Sequence, residues 1–221
     1  MKKVGLIVNP VAGLGGSVGL KGSDGAGIVE QALSLGAKPR SGDRAATALE
    51  ALLPLKERIE LYTCPGKMGE DAARAAGFTP LLIGEAKQLS GELALDLRQT
   101  TAEDTVAAAR YLAELPVDLL LFAGGDGTAR NVCAAVGDRV VVVGIPAGVK
   151  IHSAVYATNP RNAGLLASEY LGGFLRRTTD GEVMDIDEEA FRSGRVMARL
   201  YGYMKIPLSR ARLQGGKVSS A

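Results

Sequence analysis

Phe122-Ala123-Gly124-Gly125-Asp126-Gly127-Thr128 decides the fold. It continues the apolar run Val117 to Ala123, which reads as a strand buried on both faces, and it precedes a helical pattern from about Thr128 to Val136. Three glycines and a carboxylate therefore lie where a buried strand turns into a helix. Open α/β sheets bind ligands at that place. Glycine removes side chains that would hold a phosphate away from backbone N–H groups, and a helix amino terminus adds unpaired donors and a positive partial charge. A bare carboxylate repels phosphate, so Asp126 needs another purpose. It could hold Mg²⁺ on the phosphates or accept a proton from an attacking hydroxyl. The competing reading is an Asp-Gly turn in which Asp126 only caps the helix. Two further glycine loops favour the functional one.

The first of these is Asn9-Pro10-Val11-Ala12-Gly13-Leu14-Gly15-Gly16, after the apolar strand Lys3 to Val8. It is not a dinucleotide fingerprint, because Val18 stands at the third glycine position, nor a Walker A loop, because Leu20 precedes Lys21. Asn9 is a candidate hydrogen-bond partner for a nucleotide and Lys21 a candidate phosphate neutraliser; a plain strand-to-helix turn is the alternative. The second is Gly144-Ile145-Pro146-Ala147-Gly148-Val149-Lys150-Ile151-His152-Ser153, at the end of a strand from Val140 to Ile145. Gly148, Lys150, His152 and Ser153 are its candidate ligand contacts, His152 to phosphate or ribose, with a structural histidine as the alternative. No nucleophile elbow surrounds Ser153.

Elsewhere the pattern predicts helices through Ile28 to Leu35, through Ala45 to Leu53 with Ser41 or Asp43 as cap, from Gly69 to Gly77, and from a Thr101 cap onward. Strands are predicted at Ile59–Thr63 and Thr79–Ile83. Strands alternating with helices imply an open parallel sheet with helices on both faces, an α/β fold, over residues 1–155. From 156 to 221 a helix near Asn162 to Gly172 leads into Glu182 to Asp187 and Arg195 to Ile206, imperfectly alternating and without an intervening helix. This is the start of a β-rich second domain. Asp185 and Asp187 share a strand face, where a solvated surface is the simpler reading than a metal or substrate site. The tail from Gln214 lacks a core pattern.

Composition narrows the function. Lys plus Arg is 26 and Asp plus Glu 24 among 221 residues, which gives no support to nucleic-acid binding through a basic field. No apolar stretch approaches the ~18–20 residues of a membrane span, so a soluble, cytoplasmic protein is expected. Cys64 and Cys133 make no disulfide framework, and one histidine excludes a site needing two. Glycine, at 29 residues, is about twice its usual share.

Taken together, the Gly124-Gly125-Asp126-Gly127-Thr128 run and Asn9-Pro10 with Gly13 resemble the ATP–NAD kinase superfamily, whose nucleotide site is similar to that of diacylglycerol and sphingosine kinases. The stretches Asn9 to Gly25, Gly144 to Ser153 and Met184 to Gly194 look like the branch named after acetoin-catabolism protein X (AcoX-like). The resemblance implies transfer of the ATP γ-phosphate to the 2′-hydroxyl of NAD, with Mg²⁺, giving NADP. It implies that Asp126 activates that hydroxyl or organises Mg²⁺. Gly124, Gly125, Gly127 and Thr128 would line the phosphate site, and Asn9 would join the nucleotide pocket. Where NAD kinases carry an acidic residue after asparagine, Val132 follows Asn131. A kinase of a lipid or other small alcohol, or a non-catalytic nucleotide-binding module, therefore stays open beside the NAD kinase reading. The second domain is expected to be truncated, and the family's habit implies a homodimer.

Overall fold

The computed structural model describes residues 1–20, 26–83, 100–186, 198–209 and 211–214. Lys21, Asp187, the stretch 188–194 and the tail beyond Gln214 lie outside the described residues. Strands β1 (Lys2–Val8), β2 (Ile59–Thr63), β3 (Leu81–Leu82), β4 (Leu119–Gly124) and β5 (Val142–Pro146) form one parallel sheet in the order β3-β2-β1-β4-β5. β4 and β5 are buried at every residue, which is why they read as unbroken apolar runs.

Seven α-helices accompany the sheet among the described residues: α1 (Leu14–Ser17), α2 (Ala26–Ser34), α3 (Ser41–Glu50), α4 (Glu70–Ala75), α5 (Ala102–Glu114), α6 (Asp126–Val136) and α7 (Pro160–Leu171). Strand alternation sorts the core into two layers. Val4, Leu6, Leu119, Leu121 and Val143 pack with α3 and α7 on one face. Ile7, Leu120, Phe122 and Val142 pack with α5 and α6 on the other. The expected α/β fold with helices on both faces is what the chain adopts.

Differences from expectation are local. The third strand is only Leu81–Leu82, both exposed, so little side-chain burial extends it. At α3 the N-cap is Arg40, without a side-chain cap bond. The Ser41 hydroxyl instead donates to the Ala12 carbonyl at 3.3 Å and ties the start of α3 to the loop after β1. Thr101 does cap α5, in a reciprocal box with Asp104. Beyond α7, β6 (Thr178–Ile186) and β7 (Ala198–Pro207) form an antiparallel hairpin. Its Val183, Met204 and Ile206 enter the α6 side of the core. No described helix is long and apolar enough to cross a membrane.

Both cysteines are free. Cys64 is wholly buried, and that burial pushes its thiol up to about 12; Cys133 is only half-buried and is raised less by the same cause. Since the thiolate is the nucleophile, iodoacetamide at pH 8 is expected to label Cys133 in the native protein and Cys64 only after unfolding. Equal labelling of the two in mass spectra of native protein would contradict this burial.

Candidate active site

The strand order reverses between β1 and β4, which places the loops leaving both strands at the topological switch point. Asn9 spans that crevice. Its N–H donates to the Ala123 carbonyl at 3.0 Å, and its side-chain Nδ2 donates to Thr128 Oγ1 at 2.9 Å. Asn9 Oδ1 accepts the Val11 N–H and closes the loop on itself. Gly13 adopts a left-handed φ of 78°, and any Cβ there would run into the Ala147 carbonyl. Gly148 in turn lies so close to Gly125 that a Cβ on it would sit 3.1 Å from the Gly125 Cα. The loops after β1, β4 and β5 thus meet backbone to backbone, which bulkier residues would prevent.

The first glycine of the central motif is explained by packing. Gly124 is buried, and the Thr128 side chain folds back over the space its Cβ would fill. Ala129 N–H to Gly125 C=O, at 3.0 Å, is the first bond of α6. The N–H groups of Asp126, Gly127 and Thr128 therefore have no helical acceptor. Tyr156, fully buried and edge-on to Phe122 with ring centroids 5.3 Å apart, donates its hydroxyl to the same Gly125 carbonyl at 2.6 Å. Burial, with the charges of Asp126 and Asp185, holds that phenol well above its usual pKa, so it stays a neutral donor.

Asp126 does not cap α6. It is the first helical residue, with Gly125 as N-cap, and its carboxylate turns across to the loop after β5. His152 N–H donates to Oδ2 at 2.8 Å and Ser153 N–H to Oδ1 at 3.1 Å. The Ser153 hydroxyl lies 2.7 Å from Oδ1 and also accepts the Met184 N–H, which links the site to β6. His152 Nδ1 lies 3.0 Å from Oδ2. A carboxylate oxygen accepts, so a hydrogen bond at this contact puts a ring proton on Nδ1 and turns Nε2 away from Asp126. The Asp126 side chain is 6% exposed and that of His152 38%, so the imidazole is the accessible end of the pair.

Two clefts adjoin these loops. The larger, of about 610 Å³, is lined by Gly13, Gly148 and the cations Lys38, Arg40 and Arg44. The smaller, of about 360 Å³, shares Arg44 and Gly148 with it. Of the residues expected from sequence, Gly148 lines both clefts. Asp126, His152 and Ser153 form one hydrogen-bonded cluster, Asn9 binds Thr128 separately and Gly125 accepts from Tyr156, Gly127 is the second residue of α6, and Lys150 is exposed and lines neither cleft. The three cleft cations escaped sequence reasoning because no motif surrounds them.

No group of three metal-ligating side chains occurs among the described residues. Mg²⁺ is usually held by one or two carboxylates together with substrate phosphates. Here Asp126 already faces donors from His152 and Ser153, and Asp185 pairs with Arg130 at 3.1 Å. The expectation that Asp126 organises the ion therefore meets a carboxylate whose lone pairs are engaged.

A family model described as the ATP-NAD kinase N-terminal domain matches residues 4–173. No curated protein and no solved structure gives a significant match.

Packing around Gly124 is directly measurable. Gly124→Ala is expected to lower stability in urea by about 1–3 kcal/mol through overpacking against Thr128. Tyr156→Phe is expected to cost about 0.5–1.5 kcal/mol for its lost hydrogen bond. A Gly124→Ala protein as stable as the parent would show that Thr128 does not occupy that space.

Proposed function

We propose that this chain, which belongs to the ATP-NAD kinase family through the N-terminal domain of that family, transfers the γ-phosphoryl group of ATP to the 2′-hydroxyl of the adenosine ribose of NAD, giving NADP. The observation that carries this reading is the Asp126–His152 pair, 3.0 Å apart, beside the first-turn N–H groups of α6, which have no helical acceptor, at the sheet's switch point. Phosphoryl transfer asks a protein mainly for positioning and charge stabilisation. The N–H groups of Gly127 and Thr128, at the positive end of α6, face developing negative charge with no side chain intervening at Gly127.

In the proposed step the ribose oxygen bonds to the γ-phosphorus, the bridging bond to the β-phosphate breaks, and ADP leaves with that bridging oxygen. The hydroxyl proton passes to Nε2 of His152. Asp126 holds the ring in the tautomer that can receive the proton and stabilises the imidazolium that results. Asp126 thereby keeps the role of hydroxyl activation, exercised through its histidine.

Val132 supports one second reading. It is wholly buried between α6 and the sheet, so no ribose contact arises at the position where the NAD kinases carry an acid. A kinase of another small alcohol fits that feature. In favour of NAD, Asp185 brings a carboxylate to the same helix start, 3.9 Å from where Gly127 would carry a Cβ.

Mg²⁺-ATP and NAD are incubated with the protein, and NADP is measured by a coupled dehydrogenase. NADP formation is expected, with a loss of about 10²–10⁴-fold in Asp126→Asn and in His152→Ala. Full activity of His152→Ala alone would return the proton to Asp126 directly. Saturable ATP binding without any phosphorylated product would select the non-catalytic module.

A further inference from the structure

We infer that Ser153 is a positioning residue, whose single hydroxyl proton, contested by the Asp126 carboxylate and the backbone of β6, makes the Asp126–His152 pair depend on where the β6–β7 hairpin sits. Its purpose rests on the kinase reading; its evidence is the arrangement of donors and acceptors around one oxygen. Ser153 is expected from sequence to be a ligand contact, but it is wholly buried, so its hydroxyl is closed to a ligand. A serine hydroxyl has one proton and two lone pairs. Here Oγ lies 2.7 Å from Asp126 Oδ1, 2.8 Å from the Met184 carbonyl oxygen and 3.0 Å from the Met184 nitrogen. The Met184 N–H takes a lone pair. Both oxygens are acceptors, and the single proton serves one of them at a time. A carboxylate takes the stronger, charge-assisted bond, so the proton turns to Asp126 while Met184 holds the same oxygen from the hairpin.

On Asp126 Oδ1 this hydroxyl is the shorter contact, since the Ser153 N–H stands at 3.1 Å. It sets the plane of the carboxylate, and that plane decides whether Oδ2 meets His152 Nδ1 at 3.0 Å. The hairpin reaches the hydroxyl along one strip of backbone, residues 153–157. Gly144 N–H donates to the Val155 carbonyl at 2.9 Å and Ala157 N–H to the Gly144 carbonyl at 3.0 Å, which joins the strip to β5. Ala154 N–H donates to the Glu182 carbonyl at 2.8 Å, which joins it to β6. Gly181 lets β6 lie close, because a Cβ there would stand 3.0 Å from Val155 Cγ1. A shift of β6 against the strip alters the two Met184 contacts and, through the shared oxygen, the contact to Asp126. A serine that only filled space would lose stability on truncation and leave the imidazole as it was, for the hydroxyl bonds to Asp126 and Met184 and not to the ring.

The test compares the full chain with Ser153→Ala and Ser153→Thr, first without nucleotide. Hydrogen exchange of the Met184 amide and proton–nitrogen NMR of His152, the single histidine, are read in each. In Ser153→Ala the Met184 amide is expected to exchange about tenfold faster, and neutral His152 to lose its preference for a proton on Nδ1. Ser153→Thr keeps a hydroxyl and is expected to restore both. Ser153→Ala removes only that hydroxyl, so it decides the matter alone if the extra methyl of threonine does not fit. In turnover, kcat for NADP formation is expected to fall about tenfold in Ser153→Ala with the KM for ATP and for NAD unchanged. Parent-like exchange at Met184, a parent-like His152 spectrum or, in a chain that makes NADP, an unchanged kcat in Ser153→Ala overturns the inference. Faster exchange and an altered spectrum in a chain whose parent makes no NADP sustain the bridge and remove the kinase reading. NADP formation with the His152 signals unmoved in Ser153→Ala does the reverse.

Discussion

A buried carboxylate must be met by donors, and at Asp126 that requirement organises the molecule's working end. The chain answers it with two consecutive backbone N–H groups, an imidazole and a hydroxyl, all from residues 152 and 153. The start of α6 is thereby locked to the exit of β5. Through Ser153 and Met184 the same cluster reaches the hairpin that follows. The glycines at 13 and 148 are the geometric counterpart, since a Cβ on either would crowd the neighbouring loop backbone. Anchoring the loops from three strands in this way builds two clefts beside a helix amino terminus rather than one filled core.

The same cluster gives the chemistry its form. Asp126 is buried with its oxygens engaged, so on the proposed reading it acts through His152. The imidazole is the more exposed partner and has one nitrogen fixed. Charge arrives from a different part of the chain. Lys38, Arg40 and Arg44 line the neighbouring cleft, and the helix start contributes its N–H groups. On the proposed reading, His152 is the positioned proton acceptor and the amino terminus of α6 supplies preorganised positive charge.

Where burial is on both sides, sequence reading succeeds. β4 and β5 were legible because each residue is apolar and inside, and α5 because Thr101 and Asp104 complete a box that needs only local contacts. β3 was overdrawn because two exposed leucines carry little pattern. The GGDGT motif was legible as a strand-to-helix junction, yet the packing work of its individual residues was not. Gly124 makes room for Thr128, and Asn9 binds Thr128 across the crevice. His152 and Ser153, read as ligand contacts, are first of all donors to Asp126. The cleft cations were illegible because a long-range contact, Ser41 to Ala12, positions α3 beside the first loop. No local spacing encodes that contact.

The Asp126–His152 pairing depends on which nitrogen of the imidazole bears the proton. The chain holds a single histidine, so the imidazole nitrogens can be read by long-range proton–nitrogen NMR without assignment. With the ring neutral, the proton is predicted on Nδ1, facing Asp126, and Asp126→Asn is predicted to disturb that preference. A ring protonated on Nε2, with a spectrum indifferent to Asp126→Asn, would contradict the pairing on which the site is built.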